Sequence, residues 1–315
     1  MGVRRTSGSV ARAAVGAVVV TAGLIAAAAP AAAAPLWPGG PDISLPGLPP
    51  APELPTLPGL PAPPSLPTVP QLPVEPQRGP ANFATPAVNP SAGEVVGIAQ
   101  PVILRFSAPI ADRAVAERAI DVTTSAGDVP GRFFWFSDRQ VRWRPDAFWP
   151  ANTDVTVRAG DLTSTFTVGD AIVTTADDAT KTITVTRNGA VVRTMPTSMG
   201  KPGHETPNGT YVIGERYRDM YMDSSTYGVP VDAPEGYRTY VEYATRMSNS
   251  GIFVHAAPWS VTSQGVENVS HGCLNVSTED AKWFYETVQK GDPVVVQNTA
   301  GGVLSGYDGL GDWQL

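Results

Sequence analysis

The chain has 315 residues and a formal net charge of −7 at pH 7, from 22 basic and 29 acidic side chains. This length leaves room for two domains of ordinary size with extensions. The acidic balance argues against a nucleic-acid partner, because such proteins use a surplus of Lys and Arg to neutralise phosphates.

Residues 1–34 have the composition of an export signal. Arg4, Arg5 and Arg12 precede an apolar run at residues 13–29, and small alanines follow it. The alternative is an uncleaved membrane anchor, since a run of 17 residues is at the short limit for a spanning helix. The sequence therefore predicts an exported protein on the outer side of the cytoplasmic membrane, in the periplasm or cell wall. Contact with the membrane is expected only through this segment.

Residues 35–80 contain 17 prolines and are predicted to form a linker. A segment of this composition cannot bury a core, and it favours extended polyproline conformations. It is either a stalk that lifts the folded part away from the membrane or a disordered tether with no length requirement.

Residues 81–169 are predicted to form short strands separated by turns, with one short helix at residues 112–117. The predicted strands are residues 95–98, 102–106, 132–136, 140–144, 154–157 and 164–168. This spacing favours a small antiparallel β-sandwich of the immunoglobulin type. Trp135, Trp143 and Trp149 are interpreted as packing residues, and no acid, base or metal constellation is visible in this domain.

Residues 170–299 are predicted to form a second β-rich domain. Asn188 and Gly189 separate two strands, at residues 182–187 and 190–195, and Asn-Gly is the strongest short hairpin signal. Further strands are expected at residues 210–213, 251–255 and 294–296.

One helix is predicted near the end of this domain. Ser277 is its N-cap, Asp280 is the capping partner three residues later, and Gly291 ends the helix. The glycine-rich tail at residues 300–315 is expected to pack back through Trp313. The fold class is therefore mainly β, a sandwich followed by a β-rich domain with a short C-terminal helix.

The only cysteine, Cys273, lies two residues after His271 and 18 residues after His255. A free thiol is only a few per cent thiolate at neutral pH, so a catalytic cysteine needs a neighbouring base or cation. The two histidines are candidates for this base, and Gly272 lets backbone N–H groups turn toward a developing oxyanion. The alternative is a buried, inert cysteine. An unpaired thiol in an exported protein favours catalysis.

The cysteine belongs to a longer pattern, the SHGCLN run at residues 270–275 with His255 upstream. Three further blocks accompany it, at residues 195–200, 206–211 and 222–230. With these blocks, residues 93–313 resemble the actinobacterial L,D-transpeptidases of peptidoglycan. The family implies an immunoglobulin-like module followed by a β-rich catalytic domain.

The resemblance implies a two-step acyl transfer. Cys273 would attack the carbonyl of the third residue of a tetrapeptide stem and expel D-alanine, while His255 would take the thiol proton. The side-chain amine of a second stem would then attack the thioester and form a 3→3 cross-link. The partners implied are peptidoglycan stem peptides and, as covalent inhibitors, β-lactams of the carbapenem type. No cofactor and no metal are expected.

Further roles follow from the same resemblance. The backbone carbonyl of Ala256 would orient the histidine, at a position where several relatives have serine. The N–H groups of Gly272 and Cys273 would bind the oxyanion, with Tyr237 nearby. His271 would have a structural or substrate-orienting role rather than one in proton transfer. A lid at residues 219–248 would cover the site. The implied substrate-binding residues are Met222, Tyr227, Tyr237, Ser250, Trp259 and Asn275.

Two alternatives remain from the residues themselves. A wall cysteine peptidase or carboxypeptidase would form the same thioester and pass it to water instead of an amine. A non-catalytic wall-binding protein would use the sandwich as its binding module and would not need the pair of Cys273 and His255.

Overall fold

The computed structural model describes residues 79–315. The predicted export signal, and the predicted linker up to residue 78, lie outside the described residues. Within residues 79–315, no helix combines the length and the apolar character needed to cross a membrane.

The first domain contains two four-stranded sheets. Their strands are β1 (Ala87–Asn89), β2 (Val95–Val96), β3 (Val102–Arg105), β4 (Ile120–Thr124), β5 (Gly131–Ser137), β6 (Gln140–Pro145), β7 (Thr153–Ala159) and β8 (Leu162–Val168). One sheet has the order β1-β3-β6-β5 and the other β2-β8-β7-β4. Neighbours are antiparallel except β2 and β8, which are parallel. The short helix α1 spans Arg113–Arg118 and is capped by Asp112.

The core of the sandwich lies between its two sheets. Alternate residues of β7 are buried, as expected when one face of a sheet meets the core. Leu104 and Phe166, from opposite sheets, belong to the same buried cluster. Trp143 and Trp149 are buried there as well, and the Trp149 indole N–H donates to the Gln100 carbonyl at 2.7 Å. The packing role predicted for these two tryptophans is confirmed.

The second domain contains a five-stranded and a four-stranded sheet. The five-stranded sheet has the order β11-β10-β9-β17-β12 and the four-stranded sheet β13-β14-β15-β16. The strands are β9 (Ile172–Asp177), β10 (Thr182–Arg187), β11 (Ala190–Pro196), β12 (Gly209–Val212), β13 (Arg216–Asp223), β14 (Arg238–Arg246), β15 (Phe253–Ala256), β16 (Leu274–Val276) and β17 (Pro293–Gln297). Buried side chains of both sheets form one core together with the helix that follows β16.

The hairpin predicted at Asn188 and Gly189 is confirmed. The φ angles are 50° at Asn188 and 84° at Gly189, so both residues are left-handed, and they join β10 to β11. Two successive left-handed residues match the twist of the flanking strands, which is why Asn-Gly is favoured there.

Helix α2 spans Thr278–Thr287 and begins as predicted, with the Ser277 hydroxyl accepting from the Asp280 N–H at 3.1 Å. The prediction that Gly291 ends the helix is wrong. Val288 already has extended backbone and is buried in the core. The helix therefore ends before Val288, three residues before Gly291, and the extended backbone at Val288 accompanies burial of its side chain.

The C-terminal tail joins the two domains. Arg142 of β6 forms a buried ion pair with Asp312 at 2.7 Å. The indole N–H of Trp313 donates to the Ala99 carbonyl at 2.8 Å, so the prediction that this residue packs back is confirmed. Between the same two domains, Lys290 contacts Glu94 at 2.7 Å.

Candidate active site

The parallel pair β15 and β16 brings the cysteine and the histidine together. His255 lies opposite Asn275 in the register of these strands, and Cys273 is two residues before Asn275. Side chains alternate between faces along a strand, so residues two apart lie on the same face. Accordingly, all three side chains line one cavity of about 190 Å³.

The imidazole of His255 is held by the backbone of the next residue. Its Nδ1 lies 2.9 Å from the carbonyl oxygen of Ala256. A carbonyl can only accept, so Nδ1 carries the proton and Nε2 of the neutral ring has a free lone pair. Burial lowers the pKa of His255 to about 4, and the hydrogen bond to Ala256 opposes this shift. The ring of Trp259 stacks over it with centroids 6.0 Å apart.

The thiol of Cys273 is almost completely buried, and its Sγ donates to the Gly251 carbonyl at 3.6 Å. Burial raises the pKa of Cys273 to about 11. With the pKa of His255 near 4, thiol and imidazole are both neutral at pH 7. The resting pair is therefore not a thiolate with an imidazolium, and the proton must move while the thiol attacks.

Gly272 has a φ of 117°, a conformation that only glycine adopts readily. Its N–H donates to the Ser270 hydroxyl at 3.0 Å, and that hydroxyl donates to the Cys273 carbonyl at 2.6 Å. Its carbonyl accepts from the Thr206 hydroxyl at 2.8 Å. The role of the Gly272 N–H in binding the oxyanion stays a prediction, and this N–H would have to leave the Ser270 hydroxyl to fulfil it.

The predicted lid, residues 219–248, lies in a β-hairpin, and residues 224–237 between its two strands are called the lid turn below. Strands β13 and β14 pair in register from Arg216 to Asp223, and the chain between them includes a 3₁₀ helix, Ser224–Tyr227. Met222 and Tyr237, at the two ends of the lid turn, line the cavity of Cys273. Both also line a second cavity of about 360 Å³. The lid therefore contributes walls to two neighbouring cavities.

The remaining predicted substrate residues fall into different environments. Ser250 lines the second cavity, where its N–H donates to the Ser248 hydroxyl at 2.9 Å. Asn275 lines the first cavity, and its buried Oδ1 has no hydrogen-bond partner among residues 79–315. Trp259 is half-exposed at the mouth of the first cavity. The backbone of Tyr227 ends the 3₁₀ helix of the lid, and its side chain lies outside what the structure describes.

His271 also lines the first cavity, but its side-chain hydrogen bond is made to the lid turn and not to Cys273 or His255. Its Nε2 lies 2.8 Å from Oε2 of Glu235, a residue of the lid turn. The Lys201 ammonium contacts the same oxygen at 2.8 Å, and the His204 ring packs against the His271 ring at 4.8 Å. Sequence reasoning missed Lys201, His204 and Glu235. The one available signal was that His204 is among only three histidines in the chain.

Comparisons with known proteins agree with this architecture. A family model described as the L,D-transpeptidase catalytic domain matches residues 171–296, and a bacterial Ig domain model matches residues 78–163. L,D-transpeptidase 2 of Mycobacterium tuberculosis is 52% identical over 250 residues, which cover 75% of this chain and 61% of that protein. The chain thus matches about three fifths of that relative's length.

L,D-transpeptidase 1 of Mycobacterium tuberculosis is 44% identical over 67% of this chain and 83% of its own length. An L,D-transpeptidase structure in complex with imipenem has a TM-score of 0.65 at 44% identity, covering 67% of this chain and 97% of that one. L,D-transpeptidase 3 from Mycobacterium tuberculosis, in complex with a faropenem-derived adduct, has a TM-score of 0.64 at 43% identity, covering 69% and 99%. The chain therefore belongs to the L,D-transpeptidase family and is an enzyme with an immunoglobulin-like domain before its catalytic domain.

Proposed function

We propose that this protein forms 3→3 cross-links in peptidoglycan by acyl transfer through Cys273. The observation that carries the proposal is that His255, in β15, and Cys273, directly before the adjacent parallel strand β16, line a shared cavity. The donor is a tetrapeptide stem that loses D-alanine, and the acceptor is the side-chain amine of a second stem.

In the first step, Sγ of Cys273 attacks the carbonyl carbon of the third residue of the donor stem. The thiol proton passes to Nε2 of His255, whose Nδ1–H remains on the Ala256 carbonyl. The imidazolium then gives its proton to the departing amine of D-alanine, and a thioester remains on Cys273.

In the second step, the acceptor amine attacks the thioester and loses a proton to Nε2 of the same histidine. The Cys273 sulfur leaves and is reprotonated by the imidazolium, so the thiol and the neutral ring are restored. With Gly272 N–H engaged by Ser270, the N–H of Cys273 is our proposed oxyanion donor in both steps.

Two cavities support transfer to an amine rather than hydrolysis. The 190 Å³ cavity contains Cys273, and the 360 Å³ cavity begins at Gly251, whose carbonyl contacts the thiol. We propose that one cavity receives the donor stem and the other the acceptor. Oδ1 of Asn275, which has no partner among the described residues, is our proposed acceptor for an amide N–H of the stem in the first cavity.

The products of a tetrapeptide stem test this proposal. The purified protein should release D-alanine and form a cross-linked dimer, detected by mass spectrometry, and the Cys273→Ala variant should do neither. Arg132→Met is a matched control, because its exposed ion pair with Asp146 lies in the first domain and the residue does not line the cavity of Cys273. Tripeptide without dimer would instead support the peptidase alternative. No reaction in the folded parent protein would support the wall-binding alternative.

We also propose that a carbapenem-type β-lactam acylates Cys273. The support is that related L,D-transpeptidases have been solved with imipenem and with a faropenem-derived adduct. The intact mass of the protein should rise by one inhibitor-derived acyl group, and the mass of the Cys273→Ala variant should not change. Acylation of the alanine variant would place the reactive nucleophile elsewhere.

A peptidoglycan substrate requires export. We propose that residues 1–34 direct the protein across the cytoplasmic membrane, so that the catalytic domain works in the periplasm or cell wall. Immunodetection of the full-length protein in fractions of the producing cell tests this. A protein found only in the cytosol would contradict it.

A further inference from the structure

Three potential metal ligands meet at the edge of the catalytic cavity, and each comes from a different segment. His204 lies in the connection between β11 and β12, Glu235 in the lid turn, and His271 in the loop that carries Cys273. Their ligand atoms all lie within 4.8 Å of one another. The chain has three histidines, and the two that are not His255 both belong to this cluster.

The two imidazoles point their Nε2 atoms at one carboxylate oxygen. Oε2 of Glu235 lies 2.8 Å from Nε2 of His271 and 3.6 Å from Nε2 of His204. The two rings are nearly perpendicular, at 71°. Two imidazole nitrogens and one carboxylate oxygen are a ligand set typical of zinc, with water in the fourth position.

The two separations from Glu235 require only small movements, whereas the full cluster, whose ligand atoms lie within 4.8 Å of one another, must contract. Zn–N and Zn–O bonds of about 2.1 Å place tetrahedral ligand atoms about 3.4 Å apart. The existing separations from Glu235 lie on either side of this value, at 2.8 and 3.6 Å. All three side chains are partly exposed, with fractions of 36% for His204, 52% for Glu235 and 28% for His271, so they can adjust.

A lysine holds the carboxylate in this structure. Lys201 Nζ lies 2.8 Å from Oε2 of Glu235 and supplies the positive charge that a metal ion would otherwise bring. Its side chain is about one third exposed, so it can swing into solvent when a cation binds. Lys201 is therefore a competitor of the cation for Glu235.

We propose that His204, Glu235 and His271 form a binding site for a divalent transition-metal ion of the zinc class. The bound ion connects the lid turn to the catalytic loop, because Glu235 belongs to the former and His271 to the latter. His271 and Tyr237 line the cavity of Cys273, so the ion restrains two walls of that cavity. The metal site adjoins this cavity but contains neither Cys273 nor His255, so ion binding does not depend on the proposed thiol chemistry.

Zinc titration by calorimetry tests the site in the full-length protein with Cys273→Ala as the parent. This background removes the only thiol, which would otherwise bind zinc itself. One equivalent of Zn²⁺ should bind near pH 7.5. The substitutions His204→Gln and Glu235→Gln should each weaken binding by at least about tenfold. Lys201→Met should strengthen it, because the competing ammonium is gone.

The third histidine provides the matched control. His255→Gln in the same parent should leave zinc binding unchanged, since this residue is not in the cluster. Circular dichroism and thermal unfolding without metal establish that each variant is folded, and zinc should raise the melting temperature of the parent but not of His204→Gln. Co²⁺ should give the visible absorption of a tetrahedral site in the parent and in His255→Gln, but not in His204→Gln.

Absence of saturable binding in the parent would overturn the proposal. So would equal affinities of the parent and the His204→Gln variant, or loss of binding in His255→Gln. None of these outcomes bears on peptidoglycan cross-linking, which is tested with Cys273 intact.

Discussion

Burial determines the protonation of the two proposed catalytic side chains. It raises the pKa of Cys273 to about 11 and lowers the pKa of His255 to about 4. Both shifts have the same physical cause, since desolvation disfavours the charged form of either group. The pair is consequently neutral at pH 7, and charge develops only as the substrate carbonyl is attacked.

Because the pair is neutral, we expect the rate at which a carbapenem-type β-lactam acylates Cys273 to depend on pH in an unusual way on the acidic side. A base must be unprotonated, and His255 stays unprotonated down to its pKa of about 4. The acylation rate should therefore hold nearly constant between about pH 7 and pH 5. It should fall about tenfold per unit well below pH 4. The measurement is the rate of adduct formation by mass spectrometry across this range.

His255→Gln is the control for that profile. The rate should drop by about 10² to 10⁴, the usual contribution of general base catalysis, and the acid limb should disappear. A midpoint near 6.5, the ordinary value for histidine, would show that the imidazole is solvated in the working enzyme.

At the scale of elements, the C-terminal end of α2 is stabilised by a residue from another strand and not by a glycine nearby in the sequence. Arg216 of β13 donates to the carbonyls of Tyr285 and Val288 at 2.5 and 2.6 Å. Carbonyls at a helix C-terminus have no partner within the helix and attract a cation. An arginine from another strand thus caps α2, which explains why the glycine at position 291 is not needed for this purpose.

Arg216→Met should lower the free energy of unfolding by about 1 to 2 kcal/mol, because it removes charge-assisted hydrogen bonds from the helix end. Chemical denaturation monitored by circular dichroism measures this change. Arg218→Met is the matched control on the same strand. Arg218 makes exposed ion pairs with Asp219 and Glu242 and lies 4.1 Å from the centre of the Tyr243 ring, so its loss should cost about 1 kcal/mol or less. Equal effects of the two substitutions would contradict the capping role.

At the scale of the whole described molecule, the C-terminal tail contributes a buried ion pair between the two domains. Arg142 contacts both carboxylate oxygens of Asp312, at 2.7 and 2.9 Å, and their side chains are 5% and 1% exposed. Burial raises the pKa of Asp312, and the charge of Arg142 opposes that shift. Each buried charge therefore depends on the other.

Arg142→Met should destabilise the protein by about 3 to 5 kcal/mol, because it leaves the carboxylate of Asp312 buried without its partner. The double variant Arg142→Met with Asp312→Leu should recover part of this loss, since neither charge then remains buried. Unfolding free energies from denaturant titrations at pH 7 give both values.

Arg132→Met serves as the surface control in the same domain. The pair of Arg132 and Asp146 is equally short, at 2.6 Å, but its side chains are 57% and 44% exposed. Its removal should cost less than about 1 kcal/mol. A similar cost for Arg132→Met and Arg142→Met would show that burial does not distinguish the two pairs.

The sequence by itself determined the features that depend on local pattern. Alternating strands, the Asn-Gly turn, the Ser277 cap and the fold class could all be predicted, because each depends on neighbours within a few residues. Very short strands such as β1 could not, since three residues show no periodicity. The family was also visible, because the residues around Cys273 form a contiguous and specific run.

Only the tertiary structure decided the properties of the site that depend on burial and on distant neighbours. The neutral state of Cys273 and His255 requires knowledge of how deeply they are buried. The engagement of Gly272 by Ser270 requires the conformation of the catalytic loop. The meeting of Glu235 with His271, 36 residues apart, requires the lid to fold over that loop. Sequence spacing carries no information about such contacts, because they are made between segments that pack together only in the folded chain.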